Sequence, residues 1–186
     1  KQVSGSYRND GTWDLGVNYA NGPWGFGLGL NRGKASELGW GDTYVEKTAT
    51  VRASYTAQNW ALGAYYQRYQ ERGDWANVGR AHWKSDVVRV AGMYRMDASE
   101  LHLSVGHQKF RSNAWEEVGT AWVPYKASAN AIQWTLAYHY NFSPRTKAYV
   151  FYSHNDDYAH FNALDAFNTT DAANFRSIGM GIRHTF

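Results

Sequence analysis

Hydrophobic side chains recur at every second position along most of this chain, and few folds tolerate that period. Trp13, Leu15, Val17 and Tyr19 alternate with Asp14, Gly16, Asn18 and Ala20. Trp24, Phe26, Leu28 and Leu30 alternate with Gly25, Gly27, Gly29 and Asn31, and Asn21-Gly22-Pro23 separates the two runs as a turn. Runs of the same kind cover Ala49–Tyr55, Trp60–Tyr66, Val88–Met96, Leu101–Val105, Ile132–Phe142, Ala148–Tyr152 and Ile178–Phe186. Alternation of this kind marks strands with one apolar face, and about nine follow from it. Short turns near 21–23, 57–59, 97–99 and 143–145 alternate with long connections near 33–43, 72–85, 111–128 and 155–173.

Strands of roughly ten residues with short turns at one end and long connections at the other predict an all-β fold, a transmembrane antiparallel β-barrel. A sheet in lipid must pair every backbone group, so it zigzags and closes. The apolar stripe then faces lipid and the Gly-, Ser- and Thr-rich stripe faces inward. Trp13, Tyr19, Trp24, Tyr55, Trp60, Tyr140 and Phe142 fall near strand ends, where an aromatic girdle would lie. A soluble sandwich or lipocalin-like barrel with its apolar face inward stays open as an alternative. The whole chain reads as one β-barrel segment, 1–186, with no second domain.

Composition excludes several functions. Nineteen Lys and Arg against 16 Asp and Glu, a net charge of +3, is not the clustered basic surface of a nucleic-acid binder. There is no Cys, so disulfide scaffolds, thiolate metal sites and thiol nucleophiles drop out. The longest uncharged runs, Leu15–Asn31 and Ala127–Pro144, are broken by Asn, Gly, Pro, Gln and His, so neither reads as a transmembrane helix. Lys1–Arg8 has no apolar stretch of a leader peptide; the sequence as it stands is mature, trimmed or part of something longer. The 7 His are scattered with no metal-ligand spacing, and His102 and His107 fall on opposite faces by parity. Asp156, Asp157, Asp165 and Asp171 read as solvated loop acids rather than a Ca²⁺ site. No phosphate loop and no Ser/His/acid arrangement stands out, so neither an enzyme nor a cofactor is expected.

The chain's ending is more specific. Ser177–Phe186, with Gly181-Ile182-Arg183-His184 and a terminal Phe186, resembles the closing strand of Gram-negative general diffusion porins of the betaproteobacterial and neisserial type. Leu136–Tyr149, a strand, a Ser-Pro-Arg-Thr turn and a strand, resembles that family's penultimate hairpin, and Tyr19–Gly25 resembles another. The resemblance implies the last nine strands of a sixteen-stranded, homotrimeric barrel that passes small hydrophilic solutes. The remaining N-terminal strands and the inward-folded third loop would lie on the same or a separate chain. It also implies outer-membrane location, contact with lipid and lipopolysaccharide, and recognition by the barrel assembly machinery. Ile178, Met180, Ile182, His184 and Phe186 would form that assembly signal, with His184 where the family often has an aromatic. The alternative is a small closed barrel of eight or ten strands with a structural or adhesion role through its loops; side chains would fill its interior.

Parity assigns Arg52, Arg89, Arg95, Arg183 and Lys147 to the inward face, with Asp14, Glu46 and Glu100 as its main acids. Arg52 and Arg89 fall five to eight residues from a short turn, near mid-barrel; Arg95, Lys147 and Arg183 fall near the rim. A positive wall of this kind would line a pore with mild anion preference, unless neighbouring acids neutralise it. Lys47, Arg68, Arg72, His107 and Lys109 take the lipid parity near the long connections, where lipopolysaccharide phosphates would lie. Trp40, Trp75, Trp83, Trp115 and Trp122 are expected in loops.

Overall fold

Among the described residues, nine antiparallel strands form one sheet in strict chain order, each hydrogen-bonded only to its sequence neighbours. A computed structural model describes residues 7–37, 43–75, 79–118, 120–162 and 174–186. The strands are β1 (Tyr7–Asn21), β2 (Trp24–Glu37), β3 (Thr43–Thr56), β4 (Trp60–Trp75), β5 (Gly79–Met96), β6 (Ser99–Val118), β7 (Ala121–Ser143), β8 (Thr146–Asn162) and β9 (Phe175–His184). Among the described residues no helix occurs.

The short turns fall where the sequence places them, and two of them share a device. Gly22 and Asp97 each stand first in a two-residue connection, with φ of 54° and 51°. That left-handed geometry matches the twist of paired strands and favours Gly, Asn and Asp.

The long connections need correction. The residues expected as loops at 72–85 and 111–128 are mostly strand: β4 and β5 reach Trp75 and Gly79, and β6 and β7 reach Val118 and Ala121. Trp83, Trp115 and Trp122 therefore lie on strands and Trp75 ends one, whereas Trp40 falls outside the described residues. Asp156 and Asp157 likewise sit on β8, while Asp165 and Asp171 fall outside the described residues. Beyond the apolar band neither face needs hydrophobic residues, so the period-two signal disappears while the backbone ladder continues.

This sheet has almost no core. Among the described residues the buried hydrophobic ones are Ala81, Ala114 and Ala127. The large apolar side chains lie exposed on one face: Leu15, Val51, Leu62 and Leu103 are each about half exposed, and Met180 is 87% exposed. A single sheet that shows its whole apolar face is unstable in water and stable against hydrocarbon. That arrangement excludes the soluble sandwich, which would hide these residues between layers.

The stagger of the strands gives their tilt. One register row runs through Leu28, Val51, Tyr66, Val88, His107 and Ile132. Leu28 stands four residues from the turn end of its strand, Tyr66 six, Val88 eight and Ile132 eleven. With the turns at one level, a climb of roughly two residues per hairpin means a tilt of about 35°, the value for membrane barrels. On the apolar face, Trp24, Phe26, Leu28 and Leu30 precede Arg32, and Tyr55, Ala53, Val51 and Ala49 precede Lys47. Eight or nine tilted residues give an apolar band about 25 Å tall.

Rings mark its turn-side edge. Trp24 stacks with Phe26 (6.1 Å between centroids) and meets Tyr55 edge-on (4.7 Å), and Tyr55 stacks with Trp60 (5.0 Å). Tyr140 and Phe142 repeat the contact further round the sheet. Trp24, Tyr55, Trp60, Tyr140 and Phe142 are five of the seven residues expected in a girdle. Tyr19 lies at the same edge, 6.3 Å from Phe26, and Trp13 lies at the far edge, opposite Arg32.

Candidate functional site

Over the height of the apolar band, charged side chains lie on the polar face. Register puts Arg52, Arg89, Arg95, Lys147, Arg183 and Glu46 all on it. Arg52 and Arg89 occupy the same register row, with Tyr65 of β4 between them. From that centre the two guanidiniums reach in opposite directions.

Each lies across a glycine to an amide two strands away. The Arg52 guanidinium crosses Gly27 and donates to Asn18 Oδ1 at 2.7 Å. That of Arg89 crosses Gly106 and donates to Gln133 Oε1 at 2.7 Å, with a second bond to Ser104 at 3.2 Å. A Cβ on Gly27 would stand 2.8 Å from Arg52 Cγ, and one on Gly106 3.1 Å from Arg89 Nε. Glycine at these positions makes the bed on which each arginine lies. These partners are neutral, so these hydrogen bonds leave both guanidinium charges uncancelled. A groove of about 760 Å³ runs over this part of the face, touched by Asn18, Thr50, Arg52, Tyr65, Gln67 and Arg89.

Charge changes along the strand axis. Asp14, which accepts from Asn31, stands seven residues from the turn end of β1, as Arg89 does on β5, and Glu46 and Glu71, paired in register, lie further toward the long ends. Toward the turns lie Arg95, Lys147 and Arg183, the last two directly paired. Arg95 differs from the mid-height arginines: its guanidinium holds Glu100 Oε1 through two contacts of 3.1 and 3.2 Å. Glu100 is buried, and its other oxygen faces two imidazoles, His102 at 3.3 Å and His139 at 3.7 Å. The sequence shows His102 and His139 far apart; register alone brings them together, because Glu100 pairs with His139 across β6 and β7.

On the apolar face, Lys47, Arg68, Arg72, His107 and Lys109 stand at or beyond the upper edge of the band. Asp86 gathers Tyr66 (2.6 Å), Arg68 (2.7 Å) and Lys84 (3.8 Å) there. Further out, fourteen residues from the turn end of β4, Asp74 bridges Arg72 (2.8 Å) and Arg80 (2.7 Å). Desolvation acts to raise the Asp74 pKa, but bonds from Arg80 and Arg72 outweigh it and hold the carboxyl below its ordinary value. Ile178, Met180 and Ile182 form the exposed stripe of the edge strand β9. His184 continues it, accepting or donating a 2.8 Å bond with Thr146, and its ring meets Phe186 edge-on at 4.8 Å.

Residues 1–160 match a family described as Gram-negative porin. No curated protein sequence matches the chain. Among solved structures it is similar to the in-vitro folded trimer form of OmpT, an outer membrane protein of Vibrio cholerae. The two are 19% identical with a TM-score of 0.61, over 92% of this chain and 54% of that one. It is also similar to the ferric yersiniabactin uptake receptor FyuA from Yersinia pestis, at 13% identity and a TM-score of 0.59, over 92% of this chain and 33% of that one. At such identities the likeness is one of fold. The chain spans about half the length of the first structure and a third of the second.

Proposed function

Because the chain belongs to the Gram-negative porin family, and so to the outer membrane, we propose that it forms the C-terminal wall of a passive diffusion channel for small hydrophilic solutes. The observation that carries this reading is the division of the sheet into two faces. One is apolar and exposed over the height of a bilayer; the other is polar, grooved and positively charged at mid-height. No chemical step is involved.

Selectivity in this reading comes from Arg52 and Arg89. One charge about 8 Å from an ion path is worth about 0.5 kcal/mol in bulk water and about 0.2 kcal/mol after screening at about 0.15 M salt, roughly 1.4-fold up for an anion and 1.4-fold down for a cation. Two such charges held by neutral amides give a mild anion preference. Arg95 contributes less, since Glu100 balances it, and Lys147 and Arg183 add positive charge at the rim. Glu46 marks the opposite, acidic end.

The ending Gly181–His184 with Phe186 supports a porin of the betaproteobacterial and neisserial type, and with it sixteen strands in a homotrimer. The stripe Ile178, Met180, Ile182, His184 and Phe186 is then the signal for the barrel assembly machinery. In this reading Lys47, Lys109 and the cations around Asp86 meet lipopolysaccharide phosphates. The test is the reversal potential of the full-length protein in planar bilayers under a KCl gradient. Arg52→Gln with Arg89→Gln is expected to lower the chloride-to-potassium permeability ratio by roughly fourfold. An unchanged ratio removes these arginines from the selectivity mechanism, and no conductance at all removes the channel.

A further inference from the structure

We propose that Glu100, His102 and His139 form a binding site for one divalent transition-metal ion, of the zinc class, at the turn end of the polar face. The three side chains come from fixed strand positions: Glu100 and His102 two apart on β6, and His139 directly opposite Glu100 on β7. One donor atom from each lies within 4.8 Å of the others. Two atoms bound at about 2.1 Å around a tetrahedral metal are about 3.4 Å apart. The Glu100 Oε2 distances to His102 Nε2, 3.3 Å, and His139 Nδ1, 3.7 Å, bracket that value.

Their surroundings suit ligation. Arg95 occupies Glu100 Oε1 only, which orients the carboxylate and leaves Oε2 turned to the imidazoles. Such outer partners fix ligand orientation in metal sites. His139 Nδ1 is buried with no hydrogen-bond partner, and in the Nε2–H tautomer its lone pair is available to a metal. Ring centroids of His102 and His139 are 4.2 Å apart, so neither imidazole must move far to share an ion. Two imidazoles and one carboxylate form an N,N,O set that leaves the fourth tetrahedral position to a water, and it selects Zn²⁺ and its neighbours over Ca²⁺ or Mg²⁺. A bound dication would tie β6 to β7 and change the charge balance beside Arg95. The site stands on these three residues and does not depend on the channel reading.

Cobalt(II) titration of the full-length protein in detergent, stripped of metal with a chelator, provides the test. One Co²⁺ per chain is expected, with a visible absorption band that Zn²⁺ displaces and Ca²⁺ does not. His102→Ala and His139→Gln should each weaken binding at least tenfold, while His107→Ala, on the opposite face, should leave it unchanged. Glu100→Gln keeps the side-chain volume and removes the charge, so it tests the site even if a histidine variant fails to fold. Its binding should also fall at least tenfold while its heat-modifiable migration stays that of the parent protein. No band in the parent protein overturns the proposal, and so does undiminished binding in folded Glu100→Gln.

Discussion

At the scale of single residues, the polar face is organised by what lies beneath each arginine. Arg52 and Arg89 point along the sheet rather than out of it because Gly27 and Gly106 leave room for them. Gly27→Ala places a methyl group 2.8 Å from Arg52 Cγ and 3.0 Å from Asn18 Oδ1. It is expected to lift the guanidinium off its bed without altering net charge. Single-channel conductance and reversal potential should both change in Gly27→Ala, whereas Gly29→Ala, with only Thr50 Cβ at 3.8 Å, should behave as the parent. Equal behaviour of the two variants would refute the bed. Asp74 carries the second prediction at this scale. Its pKa is depressed in the folded chain, so its stabilising effect is complete above the unfolded value, about 3.9. That effect is lost as pH falls through the lower folded value. A carbon-13 titration of the Asp74 carboxyl should show a midpoint below 3.9 that rises in the Arg72→Gln, Arg80→Gln double variant; an unmoved midpoint would dismiss the clamp. Parity in the sequence assigned Arg52, Arg89, Arg95 and Arg183 to one face, and the strand register puts them on one. It could not tell that Arg95 holds an acid while Arg52 and Arg89 reach neutral amides, because those partners sit at a register the sequence does not print. The Glu100–His102–His139 cluster was invisible for the same reason: its two histidines, His102 and His139, stand far apart in the chain.

At the scale of elements, one strand carries two solvents on its two sides, and neighbouring residues test this directly. Val51 lies mid-band on the apolar face and is about half exposed; Thr50 lies on the polar face opposite Gly29. Val51→Lys should cost about 2–4 kcal/mol, as a cation costs near the bilayer midplane. Thr50→Lys should stay within about 0.5 kcal/mol of the parent. Urea unfolding in lipid vesicles, followed by tryptophan fluorescence, measures both, and equal costs would mean that Val51 does not face lipid. The closing strand allows a comparable contrast. Deleting Phe186 should impair insertion into the outer membrane far more than Val150→Ala, an apolar trim on the neighbouring strand; equal insertion, read by heat-modifiable migration from isolated membranes, would leave Phe186 without an assembly role. The strands were legible wherever a bilayer forces alternation, which is why turns and band were placed well. Above the band that pressure ends. Stretches such as Trp115–Val118 and Ala121–Tyr125, with Trp, Glu and Pro among them, read as loop although the ladder runs on through both.

At the scale of the whole molecule, strand direction decides how the sheet can close. β1 and β9 are both odd-numbered in an up-and-down meander, so they run the same way. Joining one to the other would make a parallel seam, and an antiparallel barrel built on these strands takes an odd number of further ones. Seven more give the sixteen of the family resemblance, an even total. This weighs against the small closed barrel, whose eight or ten strands would have to drop or add one to those observed. The apolar edge of β9 argues the same way: Ile178 and Met180 are 78% and 87% exposed, well above the half exposure of residues flanked on both sides. A partner strand on that edge would bring them into line. The prediction is a mass. The protein taken from its native membrane and fully denatured should weigh roughly twice the 21.1 kDa of this chain, because sixteen strands and their connections need nearly twice the residues of nine. Alternatively, a second chain supplying the missing strands should copurify with it at fixed stoichiometry. A lone 21.1 kDa species that still conducts ions would show that these strands close without help, and the sixteen-stranded reading would fall with it.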